Sequence, residues 1–189
     1  MTFADIQNNW AKQQIEALAS RTIVQGKTTT TYDPSATMKR SEFTVMMTRA
    51  MNLPLNAYKG TFKDVGPSMD WAYAEIEAAQ KAGIINGVTA LEFKPEQSIT
   101  RIQAAMMIGR LLEQENVSAD KLNAAKKITD IKDLQYFSKT KNSKQIELVL
   151  QAGIMNGYSN GTFNPHQELT RDQMAKVLYE TLKTLDSIQ

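Results

Sequence analysis

The octapeptide Gln80-Lys81-Ala82-Gly83-Ile84-Ile85-Asn86-Gly87 returns later in the chain as Leu150-Gln151-Ala152-Gly153-Ile154-Met155-Asn156-Gly157. A weaker version, Ile23-Val24-Gln25-Gly26, stands near the start. Similarity of a chain to itself at a regular interval is typical of proteins built from repeated structural units. The sequence therefore predicts three copies of one unit.

Further positions repeat around this stretch with fixed spacing. In every copy a proline follows the last glycine by eight residues and an arginine follows that proline by six. The matched sets are Gly26, Pro34 and Arg40, then Gly87, Pro95 and Arg101, then Gly157, Pro165 and Arg171. The units open at Phe3-Ala4-Asp5, Phe62-Lys63-Asp64 and Ile128-Thr129-Asp130, and Trp10, Trp71 and Phe137 supply a large aromatic side chain soon after. We expect repeats over residues 1–60, 61–120 and 121–189.

Apolar residues at helical spacing predict two helices in each unit, joined by a glycine turn and a short extended loop that ends in the proline. We expect a mainly α fold of helix-loop-helix repeats. Each unit has too little apolar surface for its own core, so the units should pack together around a central bundle. A lysine-bearing helix is also expected near Lys121 to Lys127. The third unit carries a polar insertion over 137–144, and its first helix should resume at Gln145.

Composition excludes several classes of protein. The 189 residues are 42% hydrophobic and 22% charged, as in ordinary globular proteins. A net charge of +2 gives no global attraction to nucleic acid or to an anionic membrane, so an anionic partner must be recognised locally. No apolar run approaches the length of a membrane span, and no signal peptide is recognisable at the start. The absence of cysteine removes disulfides, thiol nucleophiles and cysteine-based zinc sites.

The arginine at the start of the second helix needs an explanation of its own. Thr100 with Gln103, and Thr170 with Gln173, fit a capping box, and Glu42 also suits a cap. A cation in the first helical turn opposes the helix dipole by about 0.3–1 kcal/mol. Two explanations remain open. The arginine and the free amides of the helix start hold an anion, or the arginine forms a salt bridge with an acid of a neighbouring repeat.

The opening Phe-x-Asp, the following aromatic residue, the Gly-Ile-x-x-Gly turn, the Phe-x-Pro and the Thr-Arg box resemble the S-layer homology (SLH) domain, three times over essentially the whole chain. The resemblance implies a secreted module of the cell wall and S-layer that anchors further surface-protein domains. It implies a pseudo-threefold trimer of repeats around a central three-helix bundle. It also implies grooves between repeats that bind secondary cell wall polysaccharide through a ketal-linked pyruvate on a terminal N-acetylmannosamine.

The resemblance transfers the box arginine to Arg40, Arg101 and Arg171. Lys39 stands where the family has threonine and adds a second cation, and Ser41 offers a hydroxyl. We interpret Trp71 as facing the box of a neighbouring repeat; the alternative is a core tryptophan. Phe137 replaces tryptophan in the third copy, which weakens the expectation for that groove. The predicted carbohydrate-binding residues are Arg40, Arg101, Arg171, Lys39, Ser41, Met69, Asp70, Trp71, Trp10 and Gly109.

Gly109 lies inside a predicted helix, where glycine costs about 1 kcal/mol relative to alanine. Close approach by a sugar or by another helix would each explain it. A Gly109 variant with a larger side chain distinguishes the two, since it would block binding in the first case and weaken the fold in the second.

No catalytic, metal or cofactor site is expected. His166 is the single histidine, and Asp5, Asp64 and Asp130 recur singly rather than as pairs, which is typical of turn or cap aspartates. The leading interpretation is a non-enzymatic carbohydrate-binding module. The first alternative is a structural scaffold whose arginines join repeats and whose partner is another protein, such as its own surface lattice. The second is a wall-bound enzyme with its catalytic domain outside this chain.

Overall fold

The computed structural model describes residues 2–55, 57 and 59–188. Within these residues the chain forms six α-helices, two in each repeat, and the extended segments form only isolated bridges rather than strands. The mainly helical fold is thus confirmed. None of the described helices is both long and apolar enough to cross a membrane. The helices are α1 (Lys12–Ser20), α2 (Arg40–Ala50), α3 (Tyr73–Lys81), α4 (Arg101–Gln114), α5 (Ser143–Gln151) and α6 (Arg171–Thr184).

The first helix of each repeat ends in a turn that reverses the chain. Gly83 and Gly153 follow α3 and α5 with φ of 73° and 72°, in the left-handed region where glycine has no steric penalty. Thr22 adopts the same conformation after α1, with φ of 57°. The first repeat therefore keeps the turn without its glycine.

The second helix of each repeat begins at the box arginine. In α4 the predicted capping box is present, since the Gln103 amide donates to Thr100 Oγ1 (3.5 Å) and the Thr100 amide donates to Gln103 Oε1 (3.2 Å). In α2, which lacks the threonine, the Lys39 amide donates to Glu42 Oε2 at 2.9 Å. In α6 one half of the predicted capping box is present, since the Thr170 amide donates to Gln173 Oε1 at 3.2 Å. The Thr170 hydroxyl bonds to Asp172, and the Gln173 amide donates to Asp172 Oδ1 at 2.7 Å in place of the threonine.

An aspartate at the start of each repeat holds the loop that precedes the proline. The Asp5 carboxylate accepts the amides of Tyr32 and Asp33 at 2.9 and 2.7 Å, and Asp64 accepts those of Phe93 and Lys94 at 2.8 and 2.7 Å. In the third repeat the equivalent bonds, from Phe163 and Asn164 at 2.7 and 2.8 Å, go to Asp133.

The sequence alignment that placed Asp130 at this position was wrong by three residues. The Asp130 carboxylate instead accepts the amide of Lys127. The third repeat therefore starts at Ile131-Lys132-Asp133 in the structure.

The insertion of the third repeat also changes the aromatic position. Trp10 and Trp71 each stand two residues before the first helix of their repeats, and the residue two before α5 is Lys141. Phe137 lies in a short 3-10 helix, Phe137–Lys139, further from α5 than the tryptophans are from α1 and α3, and its equivalence to them stays a prediction. The expected helix near Lys121 to Lys127 is also absent there: a 3-10 turn, Ala119–Lys121, is followed by irregular chain.

The chain divides into two compact units that do not follow the repeat boundaries. Unit one contains residues up to Ile99 together with Leu169–Tyr179, and unit two contains Thr100–Glu168 together with the residues from Glu180 onward. The core of unit one includes Phe3, Tyr32, Phe43 and Phe93, and that of unit two includes Leu112, Leu134, Ile146 and Phe163, all with side chains closed to solvent. The pseudo-threefold packing and the proposed repeat boundaries stay predictions.

Candidate functional site

The three box arginines make the same contact, and it is with main-chain carbonyls of another repeat. In each case Nε donates to the carbonyl of the aromatic residue two positions before the loop proline, and Nη2 donates to the carbonyl of the residue before the turn glycine. The bonds run from Arg40 to Phe93 and Asn86 (2.9 and 3.4 Å), from Arg101 to Phe163 and Asn156 (2.7 and 3.1 Å), and from Arg171 to Tyr32 and Gln25 (both 2.8 Å).

Each guanidinium also lies over the ring of that aromatic residue. The distance from Cζ to the ring centre is 4.6 Å for Arg40, 4.6 Å for Arg101 and 4.4 Å for Arg171. Arg40 and Arg171 are almost fully buried, and burial lowers the pKa of Arg101. Neither explanation of the box arginine included a carbonyl partner. The contact gives these residues a structural role that holds one repeat to another within each unit.

Arg171 has a further neighbour, because its Nη1 lies 3.9 Å from Glu42 Oε1. The same Glu42 oxygen accepts a 2.8 Å hydrogen bond from Lys27 Nζ. Partial burial by itself raises the pKa of Glu42, but the bonds from Lys27 and from the Lys39 amide, together with the Arg171 charge, outweigh it and lower the pKa. Glu42 is therefore a carboxylate held between two cations at neutral pH.

These residues line an open cleft of about 190 Å³ in unit one, which we call the unit-one cleft. Its walls are the turn of the first repeat, the outer face of α2, one aromatic residue of the second repeat and the box arginine of the third. The lining residues are Ile23, Val24, Gln25, Gly26, Lys27, Glu42, Val45, Met46, Arg49, Trp71 and Arg171. Three of them are cations and one is a carboxylate. Lys27 and Arg171 share Glu42, and Arg49 Nη2 lies 3.8 Å from Glu75 outside the lining, so these acids offset part of the positive charge of the lining.

Trp71 lies at the edge of the unit-one cleft with 45% of its surface exposed. This exposure is incompatible with the alternative of a core tryptophan, because a core residue would be closed to solvent. Met69 before it is buried, and Asp70 is exposed in the turn between them. Trp71 and Arg171 therefore line the same cleft, whereas Met69 is buried and does not line it.

Trp10 is the equivalent residue of the first repeat and is 58% exposed. Its indole Nε1 donates to Asp172 Oδ2 at 3.0 Å, and Lys176 Nζ lies 5.8 Å from the ring centre. The ring therefore stands beside the box of the third repeat, within unit one. An exposed indole next to an ammonium group is a surface on which a sugar ring can stack.

Lys39, Ser41 and Gly109 lie outside the unit-one cleft lining. Lys39 forms an ion pair with Glu96, and the buried Ser41 hydroxyl donates to the carbonyl of Pro95 at 2.9 Å. A β-carbon on Gly109 would lie 2.1 Å from the carbonyl oxygen of Gln145 in α5. Of the two explanations for Gly109, the structure shows the close approach of another helix.

Sequence analysis missed two cations of the unit-one cleft, Lys27 and Arg49. Lys27 directly follows the turn glycine, where the other repeats have Val88 and Tyr158, so no repetition marks it. Arg49 did carry a signal, since it stands nine residues after Arg40 and Arg110 stands nine after Arg101. Within the described part of the chain, no group of three or more acidic or histidine side chains is placed to hold a metal ion.

Comparison with known proteins agrees with this repeat organisation. The S-layer homology domain model matches residues 2–44, 61–105 and 131–175. The third match begins at Ile131, which agrees with the start of the third repeat indicated by the hydrogen bonds to Asp133.

Several relatives share the same stretch. The chain is 38% identical to "Exoglucanase XynX" of Acetivibrio thermocellus across its whole length, covering 17% of that protein. It is 28% identical to "S-layer protein EA1" of Bacillus anthracis over 96% of its length, and 33% identical to "Cellulosome-anchoring protein" of Acetivibrio thermocellus over 58%, covering 20% and 23% of them. The chain spans less than a quarter of each relative. Because the model matches cover more than half of the chain, one in each repeat, the chain belongs to the S-layer homology domain family.

Proposed function

We propose that this chain anchors a surface protein to the cell wall without a covalent bond, by binding an acidic secondary cell wall polysaccharide. The observation that carries the proposal is the unit-one cleft, which Lys27, Arg49 and Arg171 line together with the exposed Trp71. A pyruvylated terminal N-acetylmannosamine offers a carboxylate for the cations and an apolar ring face for the indole. The chain needs no catalytic residue for this role.

The net charge of the chain supports local recognition rather than general attraction to polyanions. With a formal charge of +2, long-range steering is weak, and the cations of the unit-one cleft must supply the contact. We therefore propose neither nucleic acid nor a membrane as the partner.

The names of the relatives support an attachment role. An exoglucanase, an S-layer protein and a cellulosome-anchoring protein share this stretch, which forms less than a quarter of each. A segment common to proteins with such different names is better suited to attachment than to any single reaction. Further domains of the protein to which this chain belongs are expected to carry the other activities.

Calorimetric titration tests the proposal directly. The chain is titrated with 4,6-pyruvylated N-acetylmannosamine and, as the matched control, with N-acetylmannosamine. We expect saturable binding of the pyruvylated sugar alone. Equal binding of both sugars would contradict the role of the cations, and binding of neither by a folded chain would contradict the proposal.

The variant Trp71→Ala places the site. We expect binding to be weaker by about two- to tenfold, since a lost aromatic contact is worth about 0.5–1.5 kcal/mol. The melting temperature should change little because the indole is exposed. Tyr136→Ala is the matched control, since it removes an exposed aromatic side chain that does not line the unit-one cleft. A large loss of thermal stability in Trp71→Ala would instead indicate a packing role.

A second function, a scaffold that joins surface proteins in a lattice, is favoured by the box arginines. Their contacts with main-chain carbonyls need no sugar. The scaffold proposal expects self-association of the folded chain in analytical ultracentrifugation and no response to either sugar. The anchoring proposal expects the reverse.

A further inference from the structure

Three asparagines of the chain stand directly before a glycine. The pairs are Asn86-Gly87 in the turn of the second repeat, Asn156-Gly157 in the turn of the third, and Asn160-Gly161 shortly after it. All three asparagines are exposed. An asparagine in this position can deamidate, because glycine has no side chain to shield its main-chain nitrogen from the neighbouring side-chain amide. Since the three pairs have the same sequence, any difference in their reactivity must come from the fold.

Deamidation needs a free glycine nitrogen and an asparagine side chain that can reach it. The nitrogen attacks Cγ of the asparagine, the C–N bond of the side-chain amide breaks, and the amide proton of the glycine leaves with the ammonia. Water then opens the cyclic imide. Cleavage between the glycine nitrogen and Cγ gives aspartate. Cleavage between that nitrogen and the former main-chain carbonyl carbon gives isoaspartate, in which the main chain runs through the side chain.

A cationic side chain holds the main-chain carbonyl of all three asparagines. The bonds run from Arg40 Nη2 to Asn86 (3.4 Å), from Arg101 Nη2 to Asn156 (3.1 Å) and from Lys132 Nζ to Asn160 (3.1 Å). This carbonyl belongs to the same peptide group as the glycine nitrogen. A positive charge there stabilises the negative charge that the group acquires when it loses its proton. Because all three pairs share this contact, it favours the reaction without distinguishing them.

The pair Asn160-Gly161 has both of its reacting groups in hydrogen bonds. The Gly161 nitrogen donates to the carbonyl of Tyr158 at 2.9 Å. Asn160 Oδ1 accepts bonds from the amide and the hydroxyl of Thr162 at 3.0 and 2.7 Å. Attack would have to break these bonds first, so the fold protects this pair.

Asn156 is restrained through its side chain. Its Oδ1 accepts a 2.8 Å bond from Lys126 Nζ, and its Nδ2 donates to the carbonyl of Gly153 at 2.9 Å. The second bond directs the amide back toward a residue that precedes it, and not toward the nitrogen of Gly157. Both bonds must break before Cγ can take up the geometry of attack.

Asn86 has neither kind of restraint. Among the residues that the structure describes, its side chain has no hydrogen-bond partner and the Gly87 nitrogen donates to no acceptor. We propose that Asn86-Gly87 is a modification site, where the folded chain deamidates with water as the co-reactant. The site lies in unit one, at the carbonyl that Arg40 holds.

The isoaspartate product does not fit the folded turn. It adds a methylene to the main chain before Gly87, where a β-carbon would already meet the carbonyl oxygen of Thr89 at 2.2 Å and the ring of Phe62 at 2.7 Å. The carbonyl that accepts the bond from Arg40 also leaves the main chain and becomes a free carboxylate. The modification should therefore disturb the contact that the first repeat makes with the second. Aspartate keeps the main chain unchanged and should be tolerated.

Peptide mapping by mass spectrometry tests the proposal. The chain is incubated at mildly alkaline pH, and deamidation is followed at each of the three pairs. We expect Asn86 to react first and Asn156 at least about tenfold more slowly, because two hydrogen bonds must break. Asn160 should also react more slowly than Asn86. Equal rates in the folded chain, or a faster reaction at Asn156 or Asn160, would overturn the proposal.

The chain unfolded in guanidinium chloride is the matched control. There the three pairs should react at similar rates, because the hydrogen bonds of the fold are lost. If the unfolded chain kept the same order of rates as the folded chain, the order would not come from the structure and the proposal would be overturned.

The variant Asn86→Asp separates the effects of charge and of the added methylene. It carries the new carboxylate on an unchanged main chain, and it should melt as the wild type does. The isoaspartate form, isolated from the incubated chain and identified by electron-transfer fragmentation, should melt at a lower temperature. Equal melting temperatures of the isoaspartate form and of Asn86→Asp would overturn the predicted disturbance of the Arg40 contact.

Discussion

At the scale of single residues, each box arginine makes a set of contacts that depends on the shape of the guanidinium group as well as on its charge. The planar guanidinium of Arg40 directs two separate nitrogens to two carbonyls and stacks on Phe93 at the same time. Lysine has a point charge and lacks this geometry. The arginine therefore binds the loop through two main-chain carbonyls and one aromatic ring.

The variant Arg40→Ala should be less stable than the wild type by about 1–3 kcal/mol, because it leaves the carbonyl of the buried Phe93 without its donor. Urea unfolding followed by circular dichroism measures this change. Arg21→Ala is the matched control, since Arg21 is exposed and bonds to a carbonyl of its own helix. An Arg40→Ala variant as stable as the control would show that the carbonyl contacts contribute little.

At the scale of the elements, the pair formed by α4 and α5 depends on one missing side chain. The Gln145 main chain approaches Gly109 so closely that a β-carbon there would meet its carbonyl oxygen at 2.1 Å. Backbone atoms cannot move aside as a flexible side chain can. The two helices would have to separate to accept any other residue.

Gly109→Ala should therefore lower the melting temperature by several degrees, although alanine is the better helix former by about 1 kcal/mol. Gly66→Ala is the control, because a β-carbon at Gly66 meets nothing within 4 Å. We expect Gly66→Ala to change the melting temperature little. A stabilised Gly109→Ala would contradict the close approach of the two helices.

The helices themselves could be predicted because apolar spacing and the repeated glycine, proline and arginine mark them three times. The start of the third repeat could not. Ile128-Thr129-Asp130 and Ile131-Lys132-Asp133 have the same Ile-x-Asp pattern, and only the amides of Phe163 and Asn164 distinguish them. Lys141, which stands as far before α5 as the tryptophans stand before α1 and α3, was missed because the polar insertion over 137–144 shifts the register ahead of α5.

The candidate site was predicted in part. Trp71 and Arg171 were identified, and they line the unit-one cleft. Lys27 and Arg49 were not, because a single lysine after a turn resembles any exposed lysine. Glu42 was assigned to the helix cap, which is correct for Oε2, while its other oxygen faces Lys27 and Arg171. The Glu42 carboxylate thus caps α2 through one oxygen and pairs with two cations through the other. A capping pattern in the sequence indicates only the first of these roles.

At the scale of the whole molecule, carboxylates with lowered pKa values link stability to pH. Desolvation by the neighbouring chain raises the pKa of the exposed Asp5, but hydrogen bonds from the amides of Tyr32 and Asp33 outweigh it, and the pKa lies below its usual value. Glu42 shows the same net direction. Such groups stabilise the fold above their unfolded-state pKa of about 4, and this contribution is lost as pH falls through the folded-state pKa.

We therefore expect these two groups to give the free energy of unfolding little slope between pH 7 and 5 and a steep fall below about pH 4. Urea unfolding at a series of pH values measures the slope. In Asp5→Asn the fall should be shallower, and Asp70→Asn, which changes an exposed carboxylate, should behave as the wild type. An acid slope that is the same in all three chains would contradict this assignment.

The division of the chain into units has a consequence for biosynthesis. Unit one includes Leu169–Tyr179. The carbonyls of Tyr32 and Gln25 accept hydrogen bonds from Arg171, so these bonds form only after Arg171 has been synthesised. Unit two needs residues from Glu180 onward. Proteins usually fold from the amino end as they are made, one domain after another. Here a chain that leaves a ribosome or a translocation channel amino end first cannot complete unit one until Leu169–Tyr179 has emerged, or unit two until the residues from Glu180 onward have emerged. Both units are therefore completed only after α6 is available.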